Sequence, residues 1–189
     1  MSTDHATNEA GLSREAIVAA LATLSDELAK KGITGELCLF GGTVMVLAYS
    51  ARMATKDVDA LFQPARSVRV AAGVVAEILG LPTGWLNDGV KGFLSTNHRV
   101  VAGNLPQFEH LRLTMPVPEY LLAMKCMASR IGGTDGESSD LPDIVFLLRK
   151  LGITSASQAL QVVAQYYPAE RISVKTQYLL EGLYEEGKV

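Results

Sequence analysis

Two aspartates, Asp57 and Asp59, stand two residues apart inside the apolar stretch "DVDALF". In a β-strand the side chains of such a pair leave the same face, while the residue between them turns to the other. Adjacent carboxylates repel each other and raise each other's pKa unless a cation lies between them. Mg²⁺ takes such ligands and fills its remaining positions with water and substrate phosphates. The spacing predicts a site for one or two Mg²⁺ ions; the alternative is a structural pair bonded to backbone or arginine groups.

A glycine pair, Gly41-Gly42, closes the apolar run that precedes the aspartates. Because glycine has no Cβ, a strand-to-helix turn built from it exposes backbone N–H groups and the positive end of the helix dipole. Both features attract a phosphate. A glycine pair also makes tight turns where no ligand binds, so the structural alternative stays open here as well.

These residues need a sheet and helices to position them, and the hydrophobic periodicity predicts both. Apolar residues recur at helical spacing from Ser13 to Lys31, with Ser13 as the N-cap. Short strands and helices then alternate, which is typical of an α/β sheet. The predicted elements are a strand over 36–40, a helix over 43–53, a strand over 57–62, a helix over 67–79, and strands near 98–102 and 110–115.

The second half of the chain is predicted to be mostly helical. Pro116 and Pro118 precede an apolar helix, and after the segment "GGTDGESS" three more helices are expected, over 141–151, 155–167 and about 175–186. The predicted organisation is a flexible N-terminal tail (1–12), a small mixed-sheet α/β core flanked by helices (13–115), and a helical region packed on that core (116–189).

Composition narrows the class of protein. With 189 residues, 48% of them hydrophobic and 20% charged, the chain is long enough to bury a core and does not have the composition of a disordered or membrane-embedded protein. The N-terminus lacks the pattern of a signal peptide, so we expect a cytoplasmic protein with no membrane partner. The net charge of −3 argues against indiscriminate binding to nucleic acid but allows a local basic surface. Candidates for that surface are Arg52, Lys56, Arg66, Arg69, Lys91, Arg99, Lys125 and Arg130. Five of them are expected to cluster around Asp57 and Asp59: Arg52, Lys56, Arg66, Lys91 and Arg99.

A second group of charged residues lies in the helical half. Lys125 interrupts the apolar sequence "YLLAMKCMA", where a lysine either extends its ammonium to the surface or needs an anion such as a phosphate or an aspartate. Asp140 and Asp143 stand three residues apart at the start of the next predicted helix, where Asp140 could serve as an N-cap.

Taken together, the motifs resemble a known family. The glycine pair with "TKDVDALF", the segment "GLPTGWLNDGVKGFL", and the lysine helix followed by "DLPDIVFLLRKLGI" resemble the minimal nucleotidyltransferases of the polymerase-β-like superfamily. The similarity is to the branch that contains the Abi-type toxins of toxin–antitoxin pairs, and it extends from about Leu37 to Ile153. It implies that the predicted α/β core is a nucleotidyltransferase core.

The resemblance also implies roles for individual residues. It assigns nucleotide binding to Gly41, Gly42, Thr43 and Lys125, Mg²⁺ ligation to Asp57 and Asp59, and catalysis to Asp57, Asp59, Lys125 and Asp140. Members of the superfamily commonly use a third carboxylate on a neighbouring strand. The predicted strand "HLRLTM" carries none, which leaves Asp88 and Glu109 as candidates.

The expected function is that of a Mg²⁺-dependent nucleotidyltransferase, the toxin of a two-gene pair, with a cognate antitoxin protein as partner. It would transfer a nucleotidyl group from an NTP to RNA, with the 3′ end of tRNA as the leading acceptor. Two alternatives remain: a non-catalytic module that binds a nucleotide or a partner, and an antitoxin-type nucleotidyltransferase that modifies a protein.

Overall fold

A computed structural model of the protein describes residues 11–129 and 140–189. The described part contains seven α-helices and seven β-strands, which confirms the predicted mixed α/β class. Most of the predicted tail (1–12), Arg130 and the segment "GGTDGESS" lie outside the described residues; Leu12 is described, is buried, and pairs with Thr55. Among the described residues, no helix is both long and apolar enough to cross a membrane.

The elements follow the predicted order. The strands are β1 (Leu12–Ser13), β2 (Gly35–Leu39), β3 (Ala54–Thr55), β4 (Val58–Gln63), β5 (Leu86–Asn87), β6 (Val100–Val101) and β7 (Leu111–Pro116). The α-helices are α1 (Arg14–Ala29), α2 (Gly41–Leu47), α3 (Ala65–Leu79), α4 (Pro118–Ala128), α5 (Asp140–Lys150), α6 (Ala156–Ala164) and α7 (Val174–Glu185). Two 3-10 helices cover Gly89–Phe93 and Ala169–Arg171.

The chain divides into two compact units. Among the described residues, unit 1 holds 11–88 and Asn104–Leu113, and unit 2 holds Gly89–Gly103, 114–129 and 140–189. Of the predicted core of 13–115, residues 89–103 and 114–115 fall in unit 2.

The sheet of unit 1 places the strand of the aspartates between two others. Its strand order is β5-β4-β2-β7, with β2 and β4 antiparallel and β4 and β5 parallel. The parallel pair is joined through α3, as a crossover connection requires. A sheet with both kinds of pairing is mixed, as predicted.

Helix α1 forms where the periodicity predicts it. The Ser13 hydroxyl accepts a hydrogen bond from the Ala16 N–H at 3.2 Å, so Ser13 is the N-cap. The apolar positions of the predicted helix face are all buried, and α1 packs against α3, which also contacts β4. These buried positions are Ile17, Ala20, Leu21, Leu24 and Leu28.

Helix α2 is shorter than predicted, since it ends at Leu47 and not at Met53. The Arg14 guanidinium donates to the backbone oxygens of Val46 and Leu47, two of the carbonyls that a continuing helix would use itself. Three residues further on, Ser50 has a φ of 50°, in the left-handed region that does not continue a helix. A contact from a distant residue therefore helps to end this helix.

Unit 2 is built around α4. All residues from Tyr120 to Cys126 in this helix are buried, because α5 and α6 both pack against it, and α7 packs against α6. Strand β6 pairs antiparallel with the last part of β7. Tyr166 and Tyr167 are buried beside this core, where the Tyr166 ring stacks on that of Tyr120.

Candidate functional site

The two aspartates lie where three strands of unit 1 meet. Asp59 is the second residue of β4, and Asp57 comes directly before the strand. Because β2 runs antiparallel to β4, the end of β2 and the turn into α2 lie beside the start of β4. The Phe40 N–H donates to the Asp59 carbonyl at 2.9 Å and fixes this junction.

Strand β5 brings a side chain to the pair that the sequence reasoning did not single out. Asn87 is the register partner of Asp59, and its Nδ2 donates to Asp57 Oδ2 at 3.1 Å. Trp85 holds this strand in place, since its Nε1 donates to the Ala72 carbonyl at 3.0 Å and its own carbonyl accepts from the Val58 N–H at 2.6 Å. Trp85 therefore anchors this strand to α3 and to the start of β4.

The surroundings of Asp57 oppose its charge. Burial raises the pKa of the Asp57 carboxyl above its usual value, and this effect outweighs the Lys56 charge and the Asn87 hydrogen bond, which both lower it. A cation bound at Asp57 would stabilise the charged carboxylate in place of the water that burial removes.

The glycine turn lies directly against Asp59. Gly41 has a φ of 58°, and a Cβ added there would lie 2.9 Å from Asp59 Oδ2, so no larger residue fits without displacing the carboxylate. Helix α2 has only seven residues, so its dipole alone does not make an anion site. The groups here that could hold a ligand are the two aspartates and the glycine turn.

Gly42 is packed even more closely. A Cβ at this position would lie 2.3 Å from Thr55 Oγ1 and 2.8 Å from Arg52 Nη1. The Arg52 guanidinium therefore lies against the glycine turn, in the same region as the aspartates. Thr55 was not predicted as a site residue, and a lone threonine in a short strand gives no sequence signal for such a contact.

Thr43, predicted to bind nucleotide, is fully buried. Its hydroxyl donates to the Asp57 carbonyl at 3.2 Å and so joins α2 to the chain that carries the aspartates. A contact between Thr43 and a nucleotide stays a prediction.

Neither candidate for a third carboxylate joins the pair. Asp88 Oδ2 pairs with Arg69 Nη2 at 2.9 Å, and the Glu109 side chain is 92% exposed beside His110. Over the part of the chain that the structure describes, no three Asp, Glu, His or Cys side chains gather as a metal group. The side chain that lies next to Asp57 from the neighbouring strand is an amide.

The residues present fit a Mg²⁺ ion. Mg²⁺ is commonly held by one or two protein carboxylates, with waters and phosphate oxygens as its other ligands. Asp57 and Asp59 would provide those carboxylates, and the cradle that a Gly41 Cβ would fill adjoins the Asp59 oxygen. No ligand from a third carboxylate is needed for this arrangement.

Lys125 and Asp140 lie in unit 2, where they form a separate cluster. Lys125 Nζ donates to Asp140 Oδ1 at 2.7 Å and lies 2.7 Å from Asp143 Oδ2. The Lys125 side chain is 7% exposed and that of Asp143 is 1% exposed, so the surface-lysine alternative is wrong. The anion that the sequence required is supplied by two aspartates. Roles for Lys125 and Asp140 in catalysis stay predictions.

The N-cap alternative for Asp140 is wrong, because Asp140 is itself a helical residue of α5, whereas a cap residue lies outside its helix. Among the expected basic residues, Lys56 neighbours Asp57 in the chain and Arg52 lies against the glycine turn. Lys91 and Arg99 belong to unit 2, and Arg66 is an exposed residue of α3. A basic surface formed by all five stays a prediction.

Comparisons with protein-family models, with curated proteins and with solved structures gave no match for this chain. Membership of the nucleotidyltransferase superfamily is therefore a proposal, supported by the motifs and by the geometry around the two aspartates.

Proposed function

We propose that the protein is a Mg²⁺-dependent nucleotidyltransferase that moves a nucleotidyl group from an NTP to an acceptor. The proposed acceptor is RNA, with the 3′ end of tRNA as its leading form, and the proposed role is the toxin of a toxin–antitoxin pair. The acceptor and the role rest on the resemblance of the motifs alone.

One observation carries the proposal: two carboxylates stand at the start of β4, with the glycine turn against Asp59. A Gly41 Cβ would lie 2.9 Å from Asp59 Oδ2, and Asn87 donates a hydrogen bond to Asp57, two residues before Asp59. A turn without side chains lets a phosphate approach backbone N–H groups, and the carboxylates beside it supply oxygen ligands for the metal that accompanies a triphosphate.

The reaction would be an in-line displacement. An acceptor hydroxyl attacks the α-phosphorus and loses its proton to solvent; the new P–O bond forms as the bond to pyrophosphate breaks, and pyrophosphate leaves. When bound, Mg²⁺ would neutralise the charge that develops on the phosphate oxygens and on the leaving pyrophosphate. The residues of this chain would hold the reactants in line: the Arg52 guanidinium beside the glycine turn attracts the triphosphate, and Asp57 and Asp59 provide oxygen ligands for its metal.

Thermal unfolding tests the binding part of this proposal. A ligand that binds only the folded protein stabilises it by about 2.7 kcal/mol at a concentration 100 times its Kd. We expect one or more of the four NTPs to raise the melting temperature with Mg²⁺ and to lose most of this effect with EDTA. An unchanged melting temperature with Mg²⁺ and each NTP in turn would contradict the proposal.

A non-catalytic nucleotide-binding module is the second candidate, because the described residues supply two carboxylates to the site and no third. It predicts the same stabilisation by NTP and Mg²⁺ but no transfer to any acceptor. The two candidates are therefore separated by a transfer assay and not by a binding assay.

A further inference from the structure

Asn87 is a neutral side chain at a position where a charge would change what the site binds. It lies beside both aspartates, as the register partner of Asp59 and as a hydrogen-bond donor to Asp57. We propose that Asn87 is a positioning residue that makes the binding of metal and of nucleotide at this site mutually dependent. This inference rests on the proposed function and adds to it the coupling between the binding of the metal and the binding of the nucleotide.

The charges near the site are balanced without Asn87. Between residues 52 and 59 the chain carries Arg52 and Lys56 as cations and Asp57 and Asp59 as carboxylates. A divalent metal that arrives alone therefore meets little net negative charge, and its Coulomb attraction to the site is weak. A third carboxylate at position 87 would shift this balance, whereas an amide does not.

The triphosphate supplies the metal ligands and the negative charge that the two aspartates alone do not provide. Its oxygens are additional ligands for the metal, and its negative charges add to those of Asp57 and Asp59. Without the metal, the two carboxylates offset the attraction of Arg52 and Lys56 for the triphosphate, so the triphosphate also meets little net charge. Each ligand therefore binds well only with the other, and by linkage the metal must strengthen nucleotide binding by the same factor as the nucleotide strengthens metal binding.

Asn87 has a second effect, on orientation. Its Nδ2 holds Asp57 Oδ2 at 3.1 Å, which restricts rotation of the carboxylate and leaves the other oxygen for a ligand. Residues that orient a metal ligand in this way typically change metal affinity by about 10–100-fold when they are replaced. An aspartate at this position could not donate the bond and would bring its own charge.

The test uses the full chain and two separate readouts. Mn²⁺ alone is titrated and followed by the electron paramagnetic resonance of the free ion. An NTP analogue with a methylene group between the α- and β-phosphorus is titrated by calorimetry, once with Mg²⁺ and once with EDTA. For the wild type we expect weak binding of Mn²⁺ alone and at least about tenfold tighter analogue binding with Mg²⁺ than with EDTA.

Two variants at position 87 should move these readouts in different ways. Asn87→Asp should tighten the binding of Mn²⁺ alone by about tenfold or more, because it adds a carboxylate near the metal. Asn87→Ala should weaken analogue binding in Mg²⁺ by about tenfold, because Asp57 loses its hydrogen bond. Gln63→Glu is the matched control: it adds one charge at the exposed far end of β4, about 13 Å along the strand, and should change neither readout.

The outcomes separate this inference from the proposed function. If the wild type binds the analogue with Mg²⁺ but Asn87→Asp gains no affinity for Mn²⁺ alone, the inference is wrong and the proposed function stands. Tight binding of Mn²⁺ alone by the wild type also overturns it. If Asn87→Asp does not fold, unchanged analogue binding by Asn87→Ala is the overturning result. Absence of analogue binding by the wild type overturns the proposed function and this inference together.

Discussion

Each unit of the protein contains two aspartates at short spacing, and the two pairs have different surroundings. In unit 2, Asp140 and Asp143 share the ammonium of Lys125, with Nζ 2.7 Å from each carboxylate. In unit 1, Asp57 receives a hydrogen bond from the neutral amide of Asn87, and burial raises its pKa in spite of that bond and of the Lys56 charge. The pair in unit 2 therefore has a buried ammonium between its members. In unit 1, burial destabilises the charged form of Asp57.

The difference indicates what each pair can do. A buried ion pair satisfies its own charges, so it contributes structure, and its loss is costly because one charge stays behind. A carboxylate that burial destabilises gains from an external cation, so it is suited to a metal. Spacing alone does not distinguish the two cases, since both are pairs of aspartates in or beside apolar elements.

The largest effect is expected in unit 2. Lys125→Ala should lower the free energy of unfolding by about 3–5 kcal/mol, because Asp143 would stay buried without its cation. Urea unfolding followed by circular dichroism measures this. The double variant Lys125→Met/Asp143→Leu removes both charges and should lie close to the wild type. A loss of less than about 1 kcal/mol in Lys125→Ala would mean that the ion pair does not hold unit 2 together.

The glycine turn of unit 1 should give the next largest effect. Gly42→Ala should cost about 1–3 kcal/mol and abolish NTP-dependent stabilisation, because the new Cβ would lie 2.3 Å from the buried Thr55 Oγ1. Thermal and urea unfolding, each with and without Mg²⁺ and NTP, measure both effects.

Gly73→Ala is the matched control for that variant. Gly73 is exposed within α3 and a Cβ there meets nothing within 4 Å, so alanine should stabilise the helix by about 0.5–1 kcal/mol. The two substitutions are chemically identical and should have opposite signs. If both are neutral, the close packing of the turn is not a constraint on this protein.

The smallest change in stability is expected at the aspartate pair. Asp57→Asn should leave the free energy of unfolding within about 1 kcal/mol of the wild type or raise it, because an amide loses less than a carboxylate when buried. Mg²⁺-dependent NTP binding should fall by more than about tenfold. Calorimetry and urea unfolding separate the two effects, with Asp26→Asn on the exposed side of α1 as control. A destabilised Asp57→Asn that still binds NTP would assign the pair of unit 1 to structure.

An element or a contact can be predicted from the sequence when the residues that determine it lie close together in the chain. Helix α1 was predicted well, because its N-cap and its apolar face are set by residues within the helix. The end of α2 was not, because Arg14 contacts its last carbonyls from more than thirty positions away. Chemistry that one residue requires can also be predicted: Lys125 needed an anion, although only the fold shows that Asp140 and Asp143 provide it.

The same distinction applies to the aspartates. Their position at the start of β4 and the glycine turn that precedes them follow from a short stretch of sequence. Asn87 was missed because its contact with Asp57 crosses the whole of α3 and depends on the register of two parallel strands. A polar residue at the end of the strand that follows such a crossover is the signal that could have pointed to it.

Transfer of the α-phosphate is the most direct test of the account. Each NTP labelled at the α-phosphorus is incubated with the protein, Mg²⁺, and either total RNA or a protein extract, in parallel with Asp57→Asn and with NTP labelled at the γ-phosphorus. We predict α-label on RNA, concentrated in tRNA, that requires Mg²⁺ and Asp57, and no γ-label, because pyrophosphate leaves. Label on protein alone would move the acceptor from RNA to protein. No transfer to either acceptor with all four NTPs would contradict the claim that this protein is a nucleotidyltransferase.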